Sequence, residues 1–363
     1  MTDHIEMPEP HPALRTRFAE LVGVRYPIVQ TGMGWVAGSS LVTATANAGG
    51  LGILASATMT LDELKAQIAD VRSATDAPFG VNLLTSVDDV EQRIAAMVDA
   101  GVTVASFAQA PRPDMVAACT EQGLVVMPTV GARRHAEKMA GIGVSAVIAQ
   151  GAEGGGHTGV VPTSILTPDV VGGVGEQIPV ISAGGWSSGS GLVAALALGA
   201  DGIAMGTRFL LTTDSKVPDA VKAQYLATPV TGTIVSKRVD GAPQRVITTD
   251  LVNKLEGSSW LANLPRSLRS AHQFRSETGA SLFSMLRAGK EMKQGNELTW
   301  PQVVMAANAP VMTKAGLVDG RTDVGVLPTG QVTGLIDELP SVAELIARVI
   351  NQANATLERL RAS

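Results

Sequence analysis

At about 150 residues per domain, the 363 residues suggest two to three domains, but one α/β barrel alone takes about 250 of them, so one large domain with an addition is expected. Hydrophobic residues make up 45% and charged residues 17%, with 39 glycines, which excludes a disordered, collagen-like or coiled-coil chain and requires a sizeable core. The net charge of −5, from 33 acidic and 28 basic residues, is too balanced for neutralising phosphate backbones, so no nucleic-acid partner is expected.

Cys119 is the only cysteine, within the helical stretch Met115–Gln122, so neither an intrachain disulfide nor a thiolate cluster can form. A reducing cytoplasm is the expected compartment. His4, His11, His135, His157 and His272 never fall at helical metal-ligand spacing, and no metal is expected. Met1–Pro10 has no basic cluster and does not resemble a signal peptide. Tyr26–Leu61 is uncharged, but glycines, Ser39, Ser40 and Asn47 interrupt its apolar run. It is read as a buried strand-turn-helix-strand unit of a protein that stays out of the membrane.

Taken in chain order, short β-branched runs recur every 20 to 35 residues or so. They are Tyr26–Gln30, Leu51–Leu54, Phe79–Leu83, Thr103–Phe107, Leu124–Pro128, Ser145–Gln150, Ile178–Ser182 and Asp201–Met205. Amphipathic segments lie between most of them: Leu61–Ser73 sets Leu61, Leu64, Ile68 and Val71 on one stripe, and Val87–Ala100 repeats the pattern. Near-continuous apolar strands with helices between them predict an α/β fold, a (β/α)8 TIM barrel, with a doubly wound open sheet as the alternative. After Met205 the regularity breaks, and a mainly helical insertion or cap is expected over residues 212–310. The barrel then comprises 15–211 and 311–363, closed by a tail helix over Ser341–Leu360. Between Lys254 and Gly295 seven Lys or Arg face three Glu, which suits either a solvated helix face or an anion-facing lid.

Barrel enzymes carry their reactive groups at the C-terminal ends of strands. Here those ends are glycine-rich: Gly32-Met33-Gly34-Trp35 after the first strand, Asn82 at the third, Gln150 and then Gly151 to Gly159 at the sixth. Gly184-Gly185 follows the seventh and Gly206-Thr207 the eighth. Glycines let backbone N–H groups approach a phosphate without a lysine, so a flat phosphorylated cofactor is expected there. Gly185-Trp186-Ser187-Ser188-Gly189 imitates a nucleophile elbow, but the one histidine downstream, His272, lies in the basic insertion and no acid stands at a later strand end. Gly189-Ser190-Gly191 imitates a dinucleotide fingerprint without its acidic partner. His157 is the histidine placed at a strand end, flanked by glycines, where its imidazole is expected to reach the barrel mouth as a proton-transfer group.

Gln30-Thr31-Gly32-Met33-Gly34-Trp35, Asn47 to Gly52, Pro78 to Asn82, Glu153 to Gly159, Ala183-Gly184-Gly185 and Gly206-Thr207-Arg208-Phe209 resemble, in order, the FMN-dependent nitronate monooxygenase (2-nitropropane dioxygenase-like) family. The flavin enoyl-acyl-carrier-protein reductases share the same set. The resemblance covers about residues 15 to 215 and 315 to 345. It implies FMN, with Gly32, Met33 and Gly34 along the isoalloxazine, Asn82 and Gln150 as its polar contacts, Gly184, Gly185, Gly206 and Thr207 on the phosphate, and His157 at the reactive edge. Gly34 and Trp35 depart from the small pair common in nitronate oxidisers, and Trp35 is expected to shape the substrate cleft.

Val217 to Lys222, Arg238-Val239-Asp240-Gly241, Leu298-Thr299-Trp300, Met305 to Asn308 and Lys314 to Gly320 are similar to the actinobacterial flavin dehydrogenases of steroid-ring catabolism that act on a hydroxylated hydrindane-carboxyl-CoA. That branch implies a CoA thioester substrate. The basic insertion, with Arg266 and Arg269, is suited by charge to the CoA phosphates, and NAD(H) or another acceptor is expected as the flavin's partner. Alkyl nitronate oxidation with O₂ and enoyl-thioester reduction are the alternatives within the family, and a non-catalytic phosphate-ligand binder is the alternative outside it. A homo-oligomer is compatible with the sequence.

Overall fold

The computed structural model describes residues 5–257 and 300–362, which fall into two compact units. The first comprises Met1–Gly154, Thr158–Lys216 and Leu335–Ser363; the second comprises Gly155–His157 and Val217–Gly334.

All eight expected strands form in the first unit. In chain order they are β1 (Ile28–Gln30), β2 (Leu51–Ala55), β3 (Phe79–Leu83), β4 (Val104–Phe107), β5 (Val125–Val130) and β6 (Val147–Gln150). A short β7 (Gly156–His157) belongs to the second unit, and β8 (Val180–Ala183) and β9 (Gly202–Met205) complete the first. The eight close into a parallel barrel because β9 returns to β1, with Ile28 opposite Ile203 and Gln30 opposite Met205. This is the TIM barrel, and it excludes the open doubly wound sheet. The first strand begins at Ile28 rather than Tyr26 because Pro27 has no N–H for the ladder. The fifth runs on past Pro128: it registers with β4 up to that proline and with β6 beyond it.

Alternation along each strand separates two cores. Val29, Leu51, Ile53, Val104, Met127, Ile148, Ile181, Ala183 and Ala204 share one apolar cluster in the barrel interior. Phe79, Val81, Leu83, Ala105, Phe107, Val147, Ala149 and Val180 join the other, with residues of the surrounding helices such as Leu64, Ile68 and Val71. Helix Leu61–Ala74 supplies that stripe and starts at a capping box formed by Thr60 and Glu63. The tail helix Val342–Ala362 packs on helix Gly189–Ala197. Among the described residues, no helix is long and apolar enough to cross a membrane.

In the second unit, β10 (Thr233–Ser236) and β11 (Gln244–Ile247) pair antiparallel, and β7 adds a third strand against β11. Where a mainly helical insertion is expected, the described part therefore holds a sheet as well as helices Asp219–Leu226, Asp250–Gly257 and Trp300–Leu317. The two short strands escape the periodicity search because one of them pairs with a segment nearly 90 residues away in the chain. Val239, Val246, Val252, Ala309 and Val326 form this unit's own apolar cluster.

At the opposite end of the barrel from the strand C-termini, Asp201 ties the closing strand to the start of the chain. Its carboxylate accepts from Arg17 Nε (3.0 Å) and Nη2 (2.9 Å) and from the backbone N–H of Val180 (3.0 Å), while its carbonyl accepts from Thr16 Oγ1 (2.6 Å). Replacing Asp201 with Ala strips the carboxylate from two charge-assisted hydrogen bonds and leaves a buried N–H unpaired, and is expected to cost about 2 kcal/mol. A urea midpoint followed by far-UV circular dichroism, unchanged from the parent chain, would contradict this.

Candidate active site

The sequence-predicted residues of the first unit meet at one rim because every barrel strand runs the same way. Gln30 is opposite Met205, Ala55 opposite Asn82, Asn82 opposite Ser106, Gln150 opposite Ala183, and Ala183 opposite Ala204. The turns carrying Gly32, Met33, Gly34, Gly184, Gly185, Gly206 and Thr207 leave from those ends. Asn82 and Gln150 follow the inward phase of their strands, since Val81 and Leu83, or Val147 and Ala149, belong to the outer core.

The rim is cut to backbone dimensions. A Cβ on Gly32 would stand 2.5 Å from the Cβ of Asn82, so the turn after β1 lies directly against the third strand's amide. Asn82 is held in turn: its Nδ2 donates to Ser106 Oγ (3.3 Å) and its carbonyl accepts from Ser56 Oγ (2.7 Å). Gly184 and Gly185 have φ of 107° and 80°, a left-handed run that side chains resist. A Cβ on Gly184 would also stand 2.7 Å from Thr163 Oγ1. Thr163 is anchored by Glu153, whose Oε2 accepts from its N–H (2.8 Å) and hydroxyl (2.7 Å). Two successive positive-φ glycines beside a second glycine turn form a cradle for an anion, so these residues fit a phosphorylated cofactor.

Trp35 is the single non-glycine at positive φ (61°) among the described residues, and its backbone N–H donates to Thr58 Oγ1 (3.3 Å). An indole held in a left-handed backbone position is strained, and such strain concentrates at functional sites. Arg208, from the Gly206-Thr207-Arg208-Phe209 motif, is buried, and its Nη2 donates to the carbonyls of Leu211 (2.6 Å) and Glu338 (3.1 Å). Burial, with Arg348 nearby, pulls its guanidinium down to about 10. It pins the turn after β9 to the returning chain. The serine pattern at 187–188 is a helix start: Ser188 Oγ accepts from the N–H of Gly191 (3.2 Å) and caps Gly189–Ala197.

His157 belongs to the second unit and is held by strand pairing, where a loop is expected: it stands opposite Gln244 in the β7–β11 ladder. Its Nε2 lies 2.6 Å from Asp240 Oδ2, and the Asp240 carboxylate holds the imidazole above the ordinary histidine range. Asp240 and Gln244 receive no role from the sequence. The signal was there in part, since Asp240 lies in the stretch Arg238-Val239-Asp240-Gly241, but nothing in the linear order joins it to a histidine 83 positions earlier. Arg266 and Arg269 lie outside the described residues.

A closed parallel barrel with a glycine-turn cradle and inward amides at its C-terminal rim is the architecture of a cofactor-binding α/β-barrel enzyme. The chain belongs to the nitronate monooxygenase family, whose model matches residues 15–98 and 85–352, and it is a flavin-using oxidoreductase. It is 55% identical over 346 residues to the (3aS,4S,5R,7aS)-5-hydroxy-7a-methyl-1-oxo-octahydro-1H-indene-4-carboxyl-CoA dehydrogenase of Mycobacterium tuberculosis, covering 95% of this chain and 98% of that one. The protein of the same name from Rhodococcus jostii is 51% identical over 349 residues, covering 96% and 98%. Among solved structures, FabK from Thermotoga maritima matches with a TM-score of 0.77 at 30% identity, covering 96% of this chain and 99% of that one.

Replacing Gly32 with Ala drives a methyl group into Asn82 and is expected to empty the rim of its flavin while the barrel stays folded. Visible absorbance of the purified variant checks this; a full flavin complement would remove Gly32 from the cradle.

Proposed function

We propose that the chain is an FMN-dependent dehydrogenase acting on a cyclic hydroxyacyl-CoA of steroid-ring degradation, with NAD(H) as the flavin's redox partner and the cytoplasm as its compartment. The observation that carries this reading is the near-complete alignment, at 51% and 55% identity, with two proteins named as dehydrogenases of one hydroxylated hydrindane-carboxyl-CoA. The glycine cradle supports FMN in particular because FMN ends in a phosphate.

In this reading Gly184, Gly185, Gly206 and Thr207 hold the phosphate through backbone N–H groups, and Gly32, Met33 and Gly34 lie along the ring system. Asn82 and Gln150 supply its polar contacts, and Trp35 shapes the cleft for a ring-bearing acyl group. FMN, when bound, supplies the acceptor for the hydride that leaves the carbinol carbon, and NAD⁺ is the oxidant that restores it. His157 takes the hydroxyl proton as the alcohol becomes a ketone. The electron pair and the proton thus leave the substrate separately, and the imidazole carries the proton alone. Arg266 and Arg269 clamp the phosphates of the CoA moiety.

Anaerobic mixing with the hydroxyacyl-CoA is expected to bleach the flavin, and His157→Ala is expected to retain FMN and bleach at least about 100-fold more slowly. An unchanged single-turnover rate in that variant would exclude the role. Bleaching by propionate 3-nitronate and not by the thioester or NADH would favour nitronate oxidation, the activity for which the family is named. Bleaching by NADH followed by reoxidation with an enoyl thioester alone would favour enoyl-thioester reduction.

Reversing both Arg266 and Arg269 to Glu is expected to raise KM for the CoA thioester at least about 10-fold and to leave the free acid unaffected. Steady-state kinetics on the pair of substrates decide the matter, and equal effects on both would defeat the clamp.

A further inference from the structure

We propose that Arg93 is a positioning residue of the rim: its guanidinium clamps the turn 56–59, and through that turn it holds both the Asn82 end of β3 and Trp35 in the turn after β1. The inference rests on the reading of Asn82 as a flavin contact and of Trp35 as a wall of the substrate cleft.

Arg93 sits where helical periodicity asks for an apolar residue. Helix Val90–Asp99 buries Val90, Ile94 and Met97 in the outer core, and Arg93 lies on the same stripe, 5% exposed. A buried ion pair is a weak source of stability, since apolar residues of similar volume often serve as well. What an apolar residue cannot do is hold a loop by its carbonyls. Arg93 does so twice: Nη1 donates to the carbonyl of Ser56 (2.9 Å) and Nη2 to that of Met59 (2.8 Å), the two ends of the turn that leaves β2. The guanidinium is fixed in turn to its own helix. Nε donates to Asp89 Oδ1 (2.7 Å) and Nη2 to Oδ2 (2.9 Å), a planar fork that a lysine cannot copy. These bonds hold the Asp89 carboxyl below the usual carboxylate range.

The turn so fixed lies between two parts of the rim. On one side Ser56 Oγ donates to the carbonyl of Asn82 (2.7 Å), and Asn82 stands opposite Ala55 in the ladder. On the other side Thr58 Oγ1 accepts from the backbone N–H of Trp35 (3.3 Å), and a Cβ on Gly34 would stand 3.0 Å from Thr58 Cγ2. Trp35 needs such an anchor, because a non-glycine residue at φ 61° carries strain that its surroundings must offset. One guanidinium in the helical layer is thus joined, by hydrogen bonds alone, to the amide-bearing strand end and to the indole-bearing turn. A shift of the turn 56–59 reaches both.

The test compares full-length, FMN-loaded Arg93→Met, Thr58→Val, their double variant, Asn82→Ala and Trp35→Ala. It reads far-UV circular dichroism, FMN release on dilution, and anaerobic flavin bleaching over a range of concentrations of the hydroxylated hydrindane-carboxyl-CoA. Arg93→Met is expected to keep the parent dichroism, to weaken FMN retention at least about 5-fold and to raise the half-saturating thioester concentration at least about 10-fold. Thr58→Val should raise the half-saturating concentration and leave FMN retention unchanged. The double variant should be no worse than Arg93→Met alone, because both residues act through one turn. Should Arg93→Met fail to fold, Arg93→Lys, which keeps the charge and loses the fork, should show the same pair of losses at smaller size. Parent FMN retention and parent half-saturation in a folded Arg93 variant, or losses in the double variant that multiply those of the singles, would overturn the clamp alone. Parent half-saturation in Trp35→Ala, or parent FMN retention in Asn82→Ala, would sink the reading of that residue and the positioning role with it. Bleaching of the parent chain is the control that separates these results from a wrong substrate, and FMN release reads the clamp without any substrate.

Discussion

A parallel strand has a direction, and eight of them closed in register leave all their carboxyl ends at one rim. The rest of the first unit depends on that constraint. The return of β9 to β1, with Gln30 opposite Met205, brings the first turn of the barrel beside the last. Once the ring closes, a glycine turn near residue 32 and another near residue 206 become neighbours without any local attraction between them. The register from β2 to β3 and from β6 to β8 does the same for Asn82 and Gly184. The barrel itself thus gathers the Asn82 and Gln150 amides on the inward phase of their strands and the glycine turns at one rim.

The second unit solves a different problem. His157 stands between Gly156 and Thr158 on an exposed segment, in a strand of two residues. Pairing Gly156–His157 with β11 sets the backbone, and the buried Asp240 carboxylate lies 2.6 Å from the ring. Both devices come from residues past 230, so the segment that leaves β6 is completed by a part of the chain translated much later.

The glycine turns and Trp35 are opposite in kind. The cradle is built from residues with little or no side chain, which suits a ligand gripped through its phosphate and ring plane. Trp35 stands out against that background as a bulky residue in a strained backbone state beside the glycine motif.

The eight strands and the rim were legible in the residues, because β-branched runs and glycine punctuation are local and each run is buried on both faces whatever its neighbours. Gly32, Asn82, Gln150, Gly184 and Gly206 could be named from linear order since the C-terminal end of a barrel strand is a position along the chain. The sheet formed by β7, β10 and β11 was not legible, nor were the partners of His157. A two-residue strand has no period to detect, and Asp240 and Gln244 gain their meaning from a hydrogen bond and a cross-strand register that span some 80 residues. Amino-acid order determined which residues crowd the end of each strand; chain closure and long-range pairing decided which of them touch, because contact depends on where the backbone returns.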